Sequence, residues 1–222
     1  MNTMPRFAVI LSGSGRADGS EIHEAVTALL AIDKAGCTYQ CFAPNIEQAA
    51  VINHLTSEKT DERRNVLVES ARIARGNIKP LDDFKVKDFE CIIFPGGLGA
   101  ITNWCDFAVS GVACTVDNSI KRVLLEAYKE NLVIGAMCIA PVIVAKVLGE
   151  YGITVTIGND KTIAEKIKET GAKHQNTDAK SACVDEENMV VTTPAYMLAN
   201  SISEVATGAE KMVQEMVRLA QS

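Results

Sequence analysis

The chain contains no Cys-x-x-Cys motif, and its three histidines are scattered at His23, His54 and His174. This gives no cluster with metal-ligand spacing, so no metal is expected. The glycine pattern Gly13-Ser14-Gly15-Arg16-Ala17-Asp18 lacks its last glycine, because Asp18 stands in that place, and no P-loop lysine is present. The turn at Ser12 to Gly15 is therefore only a weak nucleotide-binding signal, and no cofactor is expected. Positive charge is scarce. The net charge is −6, and the only basic run is the Arg63-Arg64 pair, which reads as a solvated helix face. A nucleic-acid partner is not expected. No apolar run approaches the roughly 20 residues that a membrane-spanning helix needs, so no membrane partner is expected either. Internal repeats and low-complexity tracts are also lacking.

What is present is ordinary globular composition: 222 residues, 47% hydrophobic and 23% charged. That length suits one domain covering residues 1–222. After a short lead of six residues comes the apolar run at residues 7–11. It is too short for the apolar core of a signal peptide and is followed by Ser and Gly, so it reads as a first core strand. Seven cysteines lie scattered at positions 37, 41, 91, 105, 114, 138 and 183. An odd number leaves at least one unpaired within the chain. Free thiols suit a reducing setting, and a cytoplasmic protein is expected. The Cys37-x-x-x-Cys41 pair spans an expected strand and reads as core packing.

Strand and helix patterns alternate. Strands are expected at residues 7–11, 38–43, 91–94, 133–137, 154–157 and 189–193. A helix is expected after Gly19-Ser20, with apolar Ile22, Ala25, Val26, Leu29, Leu30 and Ile32, closed by Gly36. A surface helix is expected over 163–170 and a long amphipathic one over 202–219. The succession implies an α/β sandwich with a largely parallel sheet, whose reactive groups gather at the carboxyl ends of the strands. The polar stretch 45–87 reads as a partly helical elaboration, helical around 63–74, lying over the sheet.

Three loops meet at those carboxyl ends, the one after Leu11, the one after Phe94 and the turn at Cys138. The run Val133-Ile134-Gly135-Ala136-Met137-Cys138-Ile139-Ala140-Pro141 joins an apolar strand to an apolar helical segment through a cysteine flanked by small residues. This is the pattern of a nucleophile elbow, which sets the reactive residue on a strained turn at a helix N-terminus, where a thiolate is favoured. A buried cysteine acting as a small hydrophobe fits the segment equally well. Pro95-Gly96-Gly97 follows a buried strand. A glycine pair lets backbone N–H groups face a ligand oxygen, so Gly97 with the Ile139 N–H could form an oxyanion hole, although an isolated PGG is more often a plain tight turn. In the first helix Glu24 shares a face with Ala28 and Ala31. Turned inward it would have a raised pKa and could share a proton with a thiolate; turned outward it is a solvated residue. Glu21 reads as a helix N-terminal charge. His54 and His174 read as structural or exposed, although His174 could approach the cysteine.

Taken together, these stretches resemble the PfpI/ThiJ superfamily, and most closely its ElbB branch. The resemblance runs through Val9-Ile10-Leu11-Ser12-Gly13, Asp18-Gly19-Ser20-Glu21-Ile22-His23-Glu24-Ala25, Cys41-Phe42-Ala43-Pro44, Val51-Ile52-Asn53-His54-Leu55-Thr56, Pro95-Gly96-Gly97, Met137-Cys138-Ile139-Ala140-Pro141 and the nine residues 191–199. It implies a flavodoxin-like, class I amidotransferase-like three-layer sandwich, a nucleophile at Cys138, a carboxylate at Glu24, and a homodimer. The implied activity is a cofactor-free glyoxalase acting on a small aldehyde, with deglycation as a related possibility. A redox or carbonyl-stress sensor linked to isoprenoid metabolism is the alternative. Two departures matter. Ile139 stands where protease-like members carry His, and no late His-x-Glu pair follows Cys138, so protease and glutaminase chemistry is disfavoured.

Overall fold

A computed structural model describes residues 4–222. The chain runs β1 (Arg6–Ile10), α1 (Ile22–Lys34), β2 (Thr38–Ala43), β3 (Val51–Asn53), β4 (Glu58–Thr60), α2 (Val66–Ile73), β5 (Ile78–Pro80), β6 (Cys91–Phe94), α3 (Gly99–Thr102), α4 (Phe107–Ser110) and α5 (Asn118–Lys129). It continues with β7 (Val133–Met137), α6 (Pro141–Leu148), β8 (Thr154–Val155), α7 (Lys161–Glu169), β9 (Lys173–His174), β10 (Cys183–Asp185), β11 (Val190–Thr193) and α8 (Ile202–Ala220).

Seven strands form one sheet in the order β10-β11-β7-β6-β1-β2-β5, and every neighbouring pair is parallel except β10 with β11. The central strands β6 and β7 are buried at every residue. That burial explains their unbroken apolar sequence, because helices cover both faces. The β1-to-β2 connection runs one way along the sheet, whereas β6-to-β7 and β7-to-β11 run the other. Right-handed crossovers therefore put α1 on one face, where α8 packs against it, and α5 with α6 on the opposite face. The three-layer sandwich expected from the sequence is the architecture observed. The direction of winding reverses between β1 and β6, which opens a crevice at the carboxyl ends of those two strands.

The stretch 45–87 differs from its expected form. Its one α-helix is α2, with short 3-10 turns at Leu81–Asp83 and Val86–Asp88. The rest holds the β3–β4 hairpin and the strand β5, which pairs with β2 through Cys41 to Ile78 and Ala43 to Pro80, so part of the elaboration belongs to the main sheet. Three-residue strands carry too little alternation to show in a polar sequence, and a proline within β5 is tolerated because the strand lies at the sheet edge.

α1 illustrates how the sequence sets a helix and its buried face. The Glu21 carboxylate accepts the Glu24 N–H at 2.8 Å as N-cap, and the helix then buries Glu24, Ala25, Ala28, Ala31 and Ile32. Glu21 thus takes the N-terminal role expected of it.

Candidate active site

Cys138 stands one residue beyond β7 with φ +60°, a left-handed conformation that costs a non-glycine residue on the order of 1–3 kcal/mol. Its backbone N–H donates to the Thr193 carbonyl at 3.0 Å, which ties the turn to the end of the neighbouring strand β11. Pro141 at the first position of α6 carries no N–H to satisfy and suits the helix start. These features make the segment the strained strand-to-helix elbow that the sequence suggested. The residue is 9% exposed.

The backbone N–H groups of Gly97 and Ile139 face the sulfur and favour its ionised form. Among the described residues neither donates to a backbone carbonyl. Gly97 sits at φ +102°, and a side chain there would run into the backbone of Gly19 and Glu21. Its neighbour Gly96 meets a different constraint: a Cβ would overlap Cys138 Cβ and Glu24 Oε2 together. A hydrogen atom at residue 96 is therefore what lets thiol and carboxyl approach one another.

Glu24 is fully buried, turned inward from α1 beneath the elbow. Its Oε1 accepts the Tyr196 N–H at 3.1 Å, whereas its Oε2 has no partner meeting hydrogen-bond geometry. Burial drives its pKa from 4.5 up to about 8, against the smaller opposing effects of the Tyr196 N–H and the Cys138 thiol. Burial also pushes the Cys138 thiol well up, and the Glu24 charge adds to that push. The N–H groups of Gly97 and Ile139 act in the other direction without overcoming it. The expected thiolate at a helix N-terminus is thus corrected: desolvation outweighs the local N–H groups, and both members of the pair hold their protons more tightly. Two negative charges this close disfavour one another, so the two groups titrate as a unit.

The loops around the pair are laced together. The Glu21 N–H donates to the Gly96 carbonyl at 2.9 Å, and the Gly99 N–H donates to the Gly19 carbonyl at 3.0 Å. Asn103, buried behind them, donates to the carbonyls of Ser12 and Asp18 at 2.8 and 2.9 Å and accepts the Ala49 N–H at 2.9 Å. Asp18 accepts the Ile52 N–H at 2.8 Å, which fastens the β3–β4 hairpin to this loop. The 45–87 stretch therefore braces the site.

No imidazole is hydrogen-bonded to Cys138. His54 Nε2 accepts the Ala17 N–H at 3.2 Å, and His174 Nε2 accepts the Ile157 N–H at 3.2 Å. His23 Nδ1 lies 2.8 Å from the Tyr196 hydroxyl. The Tyr196 N–H and the flanking Ala195, strained at φ +44°, are parts of the site that residue types do not reveal, because a backbone donor has no sequence signature. Among the described residues no group of side chains is arranged to hold a metal ion.

No family model matches the chain. It is 42% identical over 96% of its length to "Glutamine amidotransferase-like class 1 domain-containing protein 3, mitochondrial" of Homo sapiens, and covers 83% of that protein. It is 30% identical to "ES1 protein, mitochondrial" of Danio rerio, over 96% of this chain and 85% of that one. Among solved structures it is similar to an isoprenoid biosynthesis protein with amidotransferase-like domain from Ehrlichia chaffeensis. The TM-score there is 0.91 and the identity 35%, covering 96% of this chain and 98% of the other. Drosophila melanogaster DJ-1beta, with a TM-score of 0.57 and 17% identity over 99% and 95% of the two chains, shares the fold. The cytoplasmic expectation is overturned by the Homo sapiens and Danio rerio relatives, whose names place them in mitochondria. Free thiols report a reducing setting, and composition does not say which compartment provides it.

Proposed function

The chain belongs to the ElbB-like family of ES1 and isoprenoid-biosynthesis amidotransferase-like proteins, and from that premise we propose that it is a cofactor-independent glyoxalase-type enzyme converting glyoxal or a similar small 2-oxoaldehyde to the hydroxy acid. The observation that carries this reading is the unpartnered Oε2 of buried Glu24, set beside Cys138 across a residue with no side chain. A carboxyl group with a pKa of about 8 can both take and return a proton near neutral pH. The 9% exposure of Cys138 favours a substrate of two or three carbons.

In this mechanism Glu24 takes the thiol proton as Cys138 Sγ bonds to one carbonyl carbon of glyoxal. The alkoxide receives that proton, which gives a hemithioacetal. The N–H groups of Gly97 and Ile139 stabilise the developing oxyanion. Glu24 then removes the C–H proton of the sulfur-bearing carbon to give an enediol, its carboxyl proton exchanges with solvent, and it protonates the adjacent carbon. The product is the thioester of glycolate, which water hydrolyses to glycolate and the free thiol. Nothing is oxidised or reduced overall, because one carbon of glyoxal gains what the other loses.

Glutaminase or protease chemistry requires an imidazole base at the cysteine, and the three histidines have other partners. Rapid oxidation in a sensor requires a thiolate at neutral pH, against which burial of Cys138 acts. An exposed apolar row on α1, Ile22, Val26 and Leu30, supports assembly as a homodimer, which light scattering would test.

The deciding experiment follows glycolate formation from glyoxal in deuterated water. Incorporation of solvent deuterium at the new CH₂, loss of turnover in Cys138→Ala, and a fall of about 10²–10⁴-fold in Glu24→Gln are expected. Unchanged turnover in Cys138→Ala would overturn the reading.

A further inference from the structure

A pair of thiols lies beside α5 and α6, on the face of the sheet opposite α1. The backbone of Cys105 is bridged antiparallel to Val116, which brings Cys114, two residues before that bridge, back to a position diagonal to Cys105, near enough for each thiol to perturb the other's ionisation. Cys114 lines an open cleft of about 650 Å³ beside α5 and α6, shared with Lys121 and Lys146. The intervening residues 106–113 carry the short α4 and protrude, with Val109 90% exposed. Such a segment can give way as its ends are drawn together, whereas Cys41 and Cys91 are held inside sheet strands.

We propose that Cys105 and Cys114 form a peroxide-oxidised dithiol site, separate from the Cys138 chemistry, in which Cys114 is attacked from the cleft and Cys105 closes the disulfide. Cys114 Sγ as thiolate attacks one oxygen of a small hydroperoxide. The O–O bond breaks, the leaving hydroxide or alkoxide takes a proton, and Cys114 becomes a sulfenic acid. The Cys105 thiol then attacks that sulfur, and the S–O bond breaks with loss of water. Two thiols are oxidised by two electrons, and one hydroperoxide is reduced to water and an alcohol, or to two waters.

The roles follow from the surroundings. Cys114 reaches the cleft and is only 4% exposed, so a hydroperoxide fits where a bulky disulfide such as oxidised glutathione does not. The Lys146 ammonium opposes the upward push of burial on the Cys114 thiol and favours its thiolate. Cys105 is pushed up to about 12, chiefly by burial, which suits a group that acts second. Oxidation is accordingly slow at neutral pH and faster as pH rises.

The test treats the wild-type protein with hydrogen peroxide, blocks remaining thiols by alkylation, and maps peptides without reduction. A Cys105–Cys114 cross-linked peptide, reversed by dithiothreitol, is expected. Oxidised glutathione should form it at least tenfold more slowly. In Cys105→Ser, a dione reagent specific for sulfenic acids should label Cys114. Recovery of both cysteines alkylated after prolonged treatment with excess hydrogen peroxide overturns the proposal, as does a disulfide joining either one to another cysteine. The wild-type map decides the matter even if the serine variant fails to fold.

Discussion

Cys41 and Cys138 are the same residue in the same sheet, both nearly inaccessible, yet their surroundings differ in the way that matters for chemistry. Cys41 lies within β2, paired in register with Val9 on one side and Ile78 on the other. Burial alone acts on its thiol and pushes it up to about 12. Cys138 lies one residue past its strand, at φ +60°, where three loops converge. Burial acts there too, but two N–H groups face the sulfur and a protonatable carboxyl stands beside it. Burial is therefore common to both sites. Position at the carboxyl edge of the sheet, where backbone groups are not consumed by strand pairing, distinguishes the second.

The comparison can be broken first through stability. Glu24 holds its proton more tightly in the folded protein, with a value of about 8 against 4.5 unfolded. The stability linked to that proton is complete below about pH 4.5 and is lost as pH rises through about 8. Glu24→Gln removes this loss, and should raise unfolding stability at pH 7 by up to about 3 kcal/mol relative to wild type. Denaturant melts at pH 5, 7 and 9 would show the advantage growing with pH, and a constant difference would contradict the buried acid.

Next in size is Gly96→Ala. The added Cβ must separate Cys138 from Glu24, and a displacement near 1 Å at a reacting pair costs about 10²-fold in turnover. Full activity in that variant would show that the two groups do not act together. A smaller effect is the pH profile. Because the base form of Glu24 starts the reaction, turnover with glyoxal should rise about tenfold per pH unit below pH 7 and level off near 8. Glu24→Gln should flatten that slope. The smallest effect sharpens the contrast from the other side: Cys41→Ala should cost about 1 kcal/mol in stability through lost packing and leave turnover unchanged.

Much of this was legible in residue order. The buried runs at β6 and β7, the capped α1, and the small residues flanking Cys138 each carry their reason locally. The same holds for the glycine pair after β6, since a turn that must bring N–H groups to a ligand requires residues without side chains. The β3–β4 hairpin and strands β5 and β10 were not legible, because three-residue strands depend on pairing partners distant in sequence. Residue order leaves the orientation of Glu24 open, since a carboxylate on a helix with small neighbours can face either way until α8 and the sheet cover one side. A helix terminus alone favours the thiolate, and enclosure by the surrounding loops outweighs it.

The amino-acid order by itself determined the alternation of strands and helices, the parallel sheet that such alternation requires, and the strained turn carrying Cys138, because periodicity, capping and turn preference are properties of neighbouring residues. Tertiary structure alone decided that Glu24 points inward, that the Tyr196 N–H holds one of its oxygens while the other faces the sulfur, and that both acids keep their protons. Those outcomes depend on desolvation and on backbone donors brought from the far end of the chain, and neither exists until the sheet is assembled and its loops close over the crevice.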